Sequence, residues 1–472
     1  MNDADTPGPA ALKKIKNFNH THMNPTRQRK RNQSILLLLL MFLPVLSAWS
    51  QQILSLEDLI DRTLQENYQL QVVRNTEQMA RNNNTLGNAG FLPSVDLRGD
   101  VLQGIQNTEQ RFFSGEVRSG DNARSTRQDA IIELNWTVFD GFRMFARRDR
   151  LSFLEQLSKN DTRYFIEQTL ADITRMYYQL LMEIQVLETV KKSLEVSAFR
   201  LKLEEQKRSV GTGNALLYQQ ALIDYNSDSA MVAMRAMQVK ELQIQINRIT
   251  NREPGFEFSP ASSAVDLTGV DTMDELVEKA IAFNLDLERA HLEEMIAETT
   301  VRIERSARYP VVSLFGNYSY SNQTNEVGFL ETSTALGGQY GVRVRFNLYS
   351  GGQQNTRIRN AMVAKESSEL SSMDVRSMLT SQLASLINRY ESYLTQFKLL
   401  DQSLKAAESS LVIAEEQLQA GAISGFEFRQ AQLTSLRVQN QKIELLFSLK
   451  SLEVDIFRLS GELMEKIIQR GL

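Results

Sequence analysis

Two groups of residues in this 472-residue chain have types and spacings that invite a chemical reading. Asp96, Arg98 and Asp100 alternate with Val95, Leu97, Gly99 and Val101, while Arg343, Arg345 and Asn347 alternate with Val342, Val344, Phe346 and Leu348. Period-two alternation puts the charges of each segment on one face of a strand. There they would set a field along a wetted surface rather than make or break a bond. The second group is Gly211, Asn214 and Leu217, matched 210 positions later by Gly421, Ser424 and Glu427, with Gln430 following. A Gly followed by Asn or Ser ends one helix and caps the next. Ser424 and Glu427 also have the spacing of a capping box.

Bond-making chemistry finds little material. The chain has no Cys and three His, of which only His291 lies beyond residue 50. That removes disulfides, thiolate nucleophiles, Cys-based metal sites and nearly all His acid-base chemistry. His291, between Ala290 and Leu292, reads as an ordinary helix residue. No Gly-rich phosphate loop or Ser-nucleophile motif is present, and isolated carboxylates such as Glu133 and Asp286 read as surface or lumen charge. Neither an enzymatic activity nor a cofactor or metal is expected.

The N-terminus carries an address. Arg27, Arg29, Lys30 and Arg31 form a basic region, Ile35 to Leu46 an apolar one, and Ala48-Trp49-Ser50 a small-residue cleavage signal before Gln51. Residues 1–50 are therefore expected to be a secretory signal peptide, and Met23 offers a second start with residues 1–22 as an upstream extension. The apolar stretch is shorter than the ~20 residues of a spanning helix, and Pro44 interrupts it. Without residues 1–50 the chain keeps 46 Lys and Arg against 55 Asp and Glu, a net charge of about −9. An acidic balance argues against nucleic acid as a partner. No later segment is apolar enough for a transmembrane helix, so any membrane residence must use strands.

The elements that would position these residues come in two copies. Leu56-Glu57-Asp58-Leu59 through Asn67 to Pro93 matches Met273-Asp274-Glu275-Leu276 through Asn284 to Pro310 at a constant shift of 217, with Gly99 falling on Gly316. After a loop seven residues longer in the first copy, the shift becomes 210. Trp136, Phe139 and Gly141 then fall on Phe346, Tyr349 and Gly351, and Gly211, Gln220 and Ala221 on Gly421, Gln430 and Ala431. The pattern predicts a first repeat over 51–254, a linker over 255–271 and a second repeat over 272–472. Each repeat reads as helix, strand, strand and a long helical hairpin, giving a mainly α chain with a small β portion.

Phe142–Val210 and Gln353–Ala420 contain no Gly or Pro, and each could form a rod of about 100 Å. In the second rod Leu379, Leu383, Leu386, Tyr390, Tyr393, Phe397, Leu400, Leu404, Ala407, Leu411, Ala414 and Leu418 alternate spacings of four and three, the mark of a supercoiled seam. The hairpins are expected over 142–250 and 353–460, and opening helices over 55–87 and 272–305. Strands are expected near 94–102, 130–139, 311–320 and 339–349, with polar loops at 103–128 and 321–338. Four strands cannot close a barrel in lipid, so the chain must join copies of itself. Strand count alone leaves two or three copies open.

The signal peptide, the duplicated unit and the two tips, Val210-Gly211 through Ala221 and Gly421 through Ala431, resemble those of TolC-type outer-membrane efflux proteins, over residues 53–465. The resemblance implies a homotrimer whose twelve-stranded outer-membrane β-barrel continues into a periplasmic coiled-coil tunnel of twelve helices. It implies a passive exit duct of a tripartite efflux or type I secretion system in a diderm bacterium, contacting outer-membrane lipid. A periplasmic adaptor (membrane fusion protein) and an inner-membrane pump of RND, ABC or MFS type would be its partners. The strand charges Asp96, Arg98, Asp100, Arg343, Arg345 and Asn347 would face the lumen, and the tip residues would form a periplasmic constriction. Leu217 stands in the first copy where the second has the acidic Glu427, and Ile423 stands where the family pattern carries Arg at the second tip. The alternative is a periplasmic coiled-coil adaptor or scaffold without a barrel.

Overall fold

The computed structural model describes residues 52–262 and 264–470. The expected signal peptide, residues 1–50, lies outside them. The chain runs β1 (Gln52–Leu54), α1 (Leu56–Glu66), α2 (Tyr68–Asn83), α3 (Leu86–Ala89), β2 (Ser94–Arg111), β3 (Val117–Phe139), α4 (Arg143–Ser209) and α5 (Ala215–Ile249). It continues β4 (Phe258–Pro260), α6 (Met273–Phe283), α7 (Leu285–Ser306), β5 (Val311–Asn325), β6 (Thr332–Arg345), α8 (Gln353–Gln419), α9 (Gly425–Leu459) and α10 (Leu463–Arg470). Helix dominates, and among the described residues no helix is long and apolar enough to cross a membrane.

The opening helices are not continuous. Each breaks at an Asn: Asn67 and Asn284 take extended backbone (ψ 119° and 126°) and cap the helix that follows. The Asn67 carbonyl amide oxygen accepts from Leu70 N–H, and that of Asn284 from Asp286 and Leu287 N–H. An Asn can satisfy free helix-start donors from its side chain, so the break costs little.

The long helices α4 and α8 have 67 residues each, about 100 Å of rise. Every residue of the α8 seam from Leu379 to Leu418 is buried or half-buried, while the polar positions between them are mostly exposed. α4 is covered more completely, because it packs against α5, α7, α2 and α9. That explains its weaker heptad: a helix buried on several sides needs no single stripe. The main core gathers Leu59, Leu170, Ile173, Leu180, Ile246, Phe258 and Phe457, and a second one gathers Leu276, Tyr390, Leu449 and Ile456. Leu59 and Leu276, 217 positions apart, are both fully buried.

The segment between β4 and α6 is pinned by one carboxylate. Glu453, inaccessible to solvent, accepts from Thr268 and Gly269 N–H, the Tyr390 hydroxyl and the Lys450 ammonium. A buried carboxylate survives because four donors replace its water.

The four-stranded sheet is antiparallel in the order β2-β3-β5-β6, leaving β2 and β6 as free edges. The strands are longer than the apolar pattern predicts. The segments expected as loops at 103–128 and 321–338 are mostly ladder, with only 112–116 and 326–331 between strands. Both faces are polar there, so the period-two signal vanishes from the sequence while backbone pairing continues. Conversely β6 stops at Arg345 rather than near 349. Gly351 and Gly352, both at positive φ, turn the chain into α8; Gly141 (φ 69°) and Phe142 (φ 68°) make the same turn into α4. A Cβ on Gly141 would lie 2.4 Å from the Ser306 carbonyl oxygen, so only Gly fits.

Candidate functional site

Sheet register sorts the strand residues into two faces. Val95 faces Leu134, Leu97 faces Ile132, Ile132 faces Tyr318, Trp136 faces Leu314, and Leu314 faces Val342. This apolar face is open: Leu97 is 78% and Tyr340 92% exposed, though both are large hydrophobic residues. A contiguous apolar face of this kind marks a surface meant for a nonaqueous neighbour.

The other face carries the charges. Asp96 faces Glu133, Asp100 faces Asp129, Arg343 faces Ser313 and Arg345 faces Val311. Arg127 pairs with Asp129 at 2.8 Å, and the Arg343 guanidinium lies 4.8 Å over the Phe315 ring. The expected lumen residues Asp96, Arg98, Asp100, Arg343 and Arg345 therefore do share one side, but on opposite edge strands that the single chain does not bring together. Asn347 lies past the end of β6, in a cleft with Asp140, Arg143 and Arg308 where sheet meets helices.

Aromatic rings gather at that same junction. Phe91, Phe139, Phe142, Phe145 and Tyr309 form edge-on and tilted pairs with centroids 5.0–6.5 Å apart. The Trp136 indole N–H donates to the Phe91 carbonyl at 2.8 Å. Tyr309 and Trp136, each an apolar ring with a polar handle, suit a boundary between hydrocarbon and water.

The tips fold as the spacing predicts. Gly211 (φ 80°) and Gly421 (φ 73°) end α4 and α8 in left-handed backbone. Asn214 accepts from Leu216 N–H at 2.8 Å. Ser424 and Glu427 complete the capping box: Glu427 N–H donates to Ser424 Oγ at 3.2 Å, and Ser424 N–H donates to Glu427 Oε2 at 2.8 Å. That backbone donor, then the Ser424 hydroxyl, holds the Glu427 carboxyl below its ordinary range. Leu217 and Gln430 are exposed, as are the apolar Val210, Leu216, Ile223 and Phe426 around the tips. The second tip seats against α4 at Arg200, whose guanidinium lies where a Cβ on Gly425 would come within 3.2 Å. Gly211 is eleven residues further along α4 and its immediate extension, about three helical turns away, so the two tips do not coincide.

Between the tips and the core lies a buried polar cluster that sequence reasoning missed. Arg429 of α9 grips Asp228 of α5 with two N–H···O bonds of 2.7 Å, and Asp228, 2% exposed, also accepts from the Ser197 hydroxyl. Arg200 pairs with Asp224 at 2.6 Å. Gln432 donates to the Ser193 carbonyl at 2.8 Å and to Ser197 Oγ at 3.1 Å. The cluster ties the first hairpin to α9 of the second. Its signal was legible: Ser193, Ser197, Arg200 and Glu204 repeat at spacings of four, three and four along α4, a seam made of polar residues.

A family model described as "Outer membrane efflux protein" matches residues 59–252 and 276–462. No curated protein matches the chain. Among solved structures, a membrane protein from Pseudomonas aeruginosa is 17% identical with a TM-score of 0.72, covering 88% of this chain and 92% of its own. The outer membrane protein VceC from Vibrio cholerae is 16% identical with a TM-score of 0.69, covering 86% and 96%. The CmeC outer membrane channel of Campylobacter jejuni is 13% identical with a TM-score of 0.72, covering 86% of each chain. At such identities the likeness is one of fold.

Proposed function

Since the chain belongs to the outer membrane efflux protein family, and so acts in transport at the outer membrane and reaches into the periplasm, we propose that three copies form one passive exit duct. The observation that carries this is the sheet: one apolar face open to its surroundings, one charged face, and two unpaired edges. In hydrocarbon each unpaired backbone group costs several kcal/mol, so edges must close on further strands. Three copies would give twelve strands, with Asp96, Arg98, Asp100, Arg343 and Arg345 lining water and Val95, Leu97, Val342 and Val344 meeting lipid. The helical hairpins would continue that pore through the periplasm. A soluble scaffold would instead leave the apolar face in water.

The duct performs no chemical step. Energy would come from an inner-membrane pump of RND, ABC or MFS type, coupled through a periplasmic adaptor that docks on the exposed apolar residues of the tips. Opening would move the tip hairpins apart, and the adaptor would drive it by binding the open arrangement more tightly. The Arg429–Asp228 cluster opposes that motion. Efflux of small molecules and type I secretion of polypeptides use the same duct geometry, and the pump selects between them. Purified protein should run as a trimer by native mass and pass current in planar bilayers. Monomeric, non-conducting material would remove this reading.

A further inference from the structure

We propose that the free edges β2 and β6 pair between neighbouring copies in one fixed antiparallel register, with Val342 of one copy opposite Val101 of the next and Arg343 opposite Asp100. This rests on the duct reading above and specifies its seam.

The register comes from the repeat. In the first hairpin Ser94 faces Asn135, and in the second Val311 faces Arg345. The shifts of 217 and 210 seen in the sequence carry one pair onto the other, so the repeat holds at the level of individual ladder pairs. Where the two hairpins join, β3 meets β5 with Ile132 opposite Tyr318, Glu133 opposite Asn317, and Trp136 opposite Leu314. The same shifts carry β3 onto β6 and β5 onto β2. They turn these pairs into Val342–Val101, Arg343–Asp100 and Phe346–Leu97 across a seam between copies.

Three observations not used in that construction agree with it. The faces match, because Val342 and Val344 meet Val101 and Gly99 while Arg343 and Arg345 meet Asp100 and Arg98, and Phe346 and Asn347, just past β6, continue the alternation toward Leu97 and Asp96. The lengths match as well: the fourteen residues of β6 fall on Arg98–Arg111, wholly inside the eighteen of β2. Charge favours the unlike edge. The charged face of β2 carries Asp96 and Asp100 with Arg98 between them, and that of β6 carries Arg343 and Arg345, so β6 with β6 would set guanidiniums together, whereas β6 with β2 brings two carboxylates to two guanidiniums. In the proposed seam Arg345 faces Arg98 directly but lies diagonally between Asp96 and Asp100, within reach of a long side chain. Charge alone would tolerate a slip of two residues; the repeat removes that freedom.

The Cys-free sequence makes the test clean. Within one chain the edges are three strand spacings apart, about 14 Å, so a disulfide between them must join copies. Residues directly opposite have Cα atoms about 4.5–5.5 Å apart, inside the disulfide range, whereas diagonal ones lie about 7–8 Å apart. The full-length chain carrying Val101→Cys with Val342→Cys should give covalent oligomers under mild oxidation. Val101→Cys with Val344→Cys, a two-residue slip, should give at least fivefold less. As a second measure, Asp100→Arg and Arg343→Asp singly should lower the temperature at which detergent-resistant oligomers dissociate, and the two together should recover at least half the loss. A stronger link from the slipped pair, or a double variant no better than the worse single, in protein that still forms conducting oligomers would overturn the seam and leave the duct standing. Protein that is monomeric and passes no current would overturn both.

Discussion

The side-chain amide of Asn284 donates to the Leu459 carbonyl at 3.0 Å, across 175 residues of chain. Asn67 does the same, donating to the Ile249 carbonyl at 3.1 Å across 182 residues. Each Asn thus breaks a helix, caps the next one and holds the end of a long hairpin, at α5 or α9.

Replacing Asn284 by Ala should therefore remove a helix cap and strand a carbonyl together. Asn284 is 5% exposed and Asn67 is half-buried. We expect Asn284→Ala to cost about 2 kcal/mol and Asn67→Ala about 1 kcal/mol. Thermal unfolding followed by circular dichroism at fixed protein and detergent concentration checks this; equal losses would mean that burial does not set the cost.

Arg429→Ala should leave Asp228 buried and unpaired, which typically costs about 3–5 kcal/mol. Part of that loss should appear as freer motion of α9, raising open probability in bilayer recordings. Arg429→Lys should not rescue, because an ammonium cannot reproduce the two-pronged contact. Unchanged gating in a folded Arg429→Ala protein would remove the cluster from the opening motion.

Glu427 closes a capping box with Ser424, and in the proposed duct it also sets a charge at the mouth. Glu427→Gln keeps a side chain able to close the capping box but removes the charge; Glu427→Ala removes both. If Glu427 lines the mouth, both variants should lower cation preference to the same degree in reversal-potential measurements. A shift in the Ala variant alone would assign Glu427 to the cap. Its depressed pKa means the wild-type preference should hold from pH 7 to pH 5.

Burial pushes Glu167 on α4 up to about 7, against Arg163 and Arg458, which pull it down, and Asp286, which adds to the rise. Its folded pKa lies above the unfolded value, so the folded state binds the extra proton. The penalty is absent below about pH 4.5, grows as pH rises, and is complete above pH 7. Glu167→Gln should stabilise by about 1 kcal/mol at pH 8 after allowance for solvent screening, with the gain fading toward pH 4.5. A gain that grew on acidification would reverse the assignment.

Much of this molecule is written in linear patterns. Leu379 to Leu418 appears as a seam because α8 packs along one side, so a single stripe must carry its burial. Ser424 and Glu427 lie in one helical turn, and a contact that local needs no tertiary structure to be foreseen. The strands were legible only where one face is apolar; beyond Gln103 and Ser321 both faces are polar, and extended pairing left no mark in residue type.

Sequence by itself determined the two rods, the tip turns and which residues alternate on each strand, because each depends on periodicity or on neighbours within a few positions. Tertiary structure decided where the distant segments meet. The pairing of β3 with β5, the grip of Arg429 on Asp228 across 201 residues, and the reach of Asn67 and Asn284 to the ends of their hairpins all depend on how helices and strands dock. No local spacing encodes such contacts, since a hydrogen bond between remote segments is fixed by the register of packed elements and not by their separation along the chain.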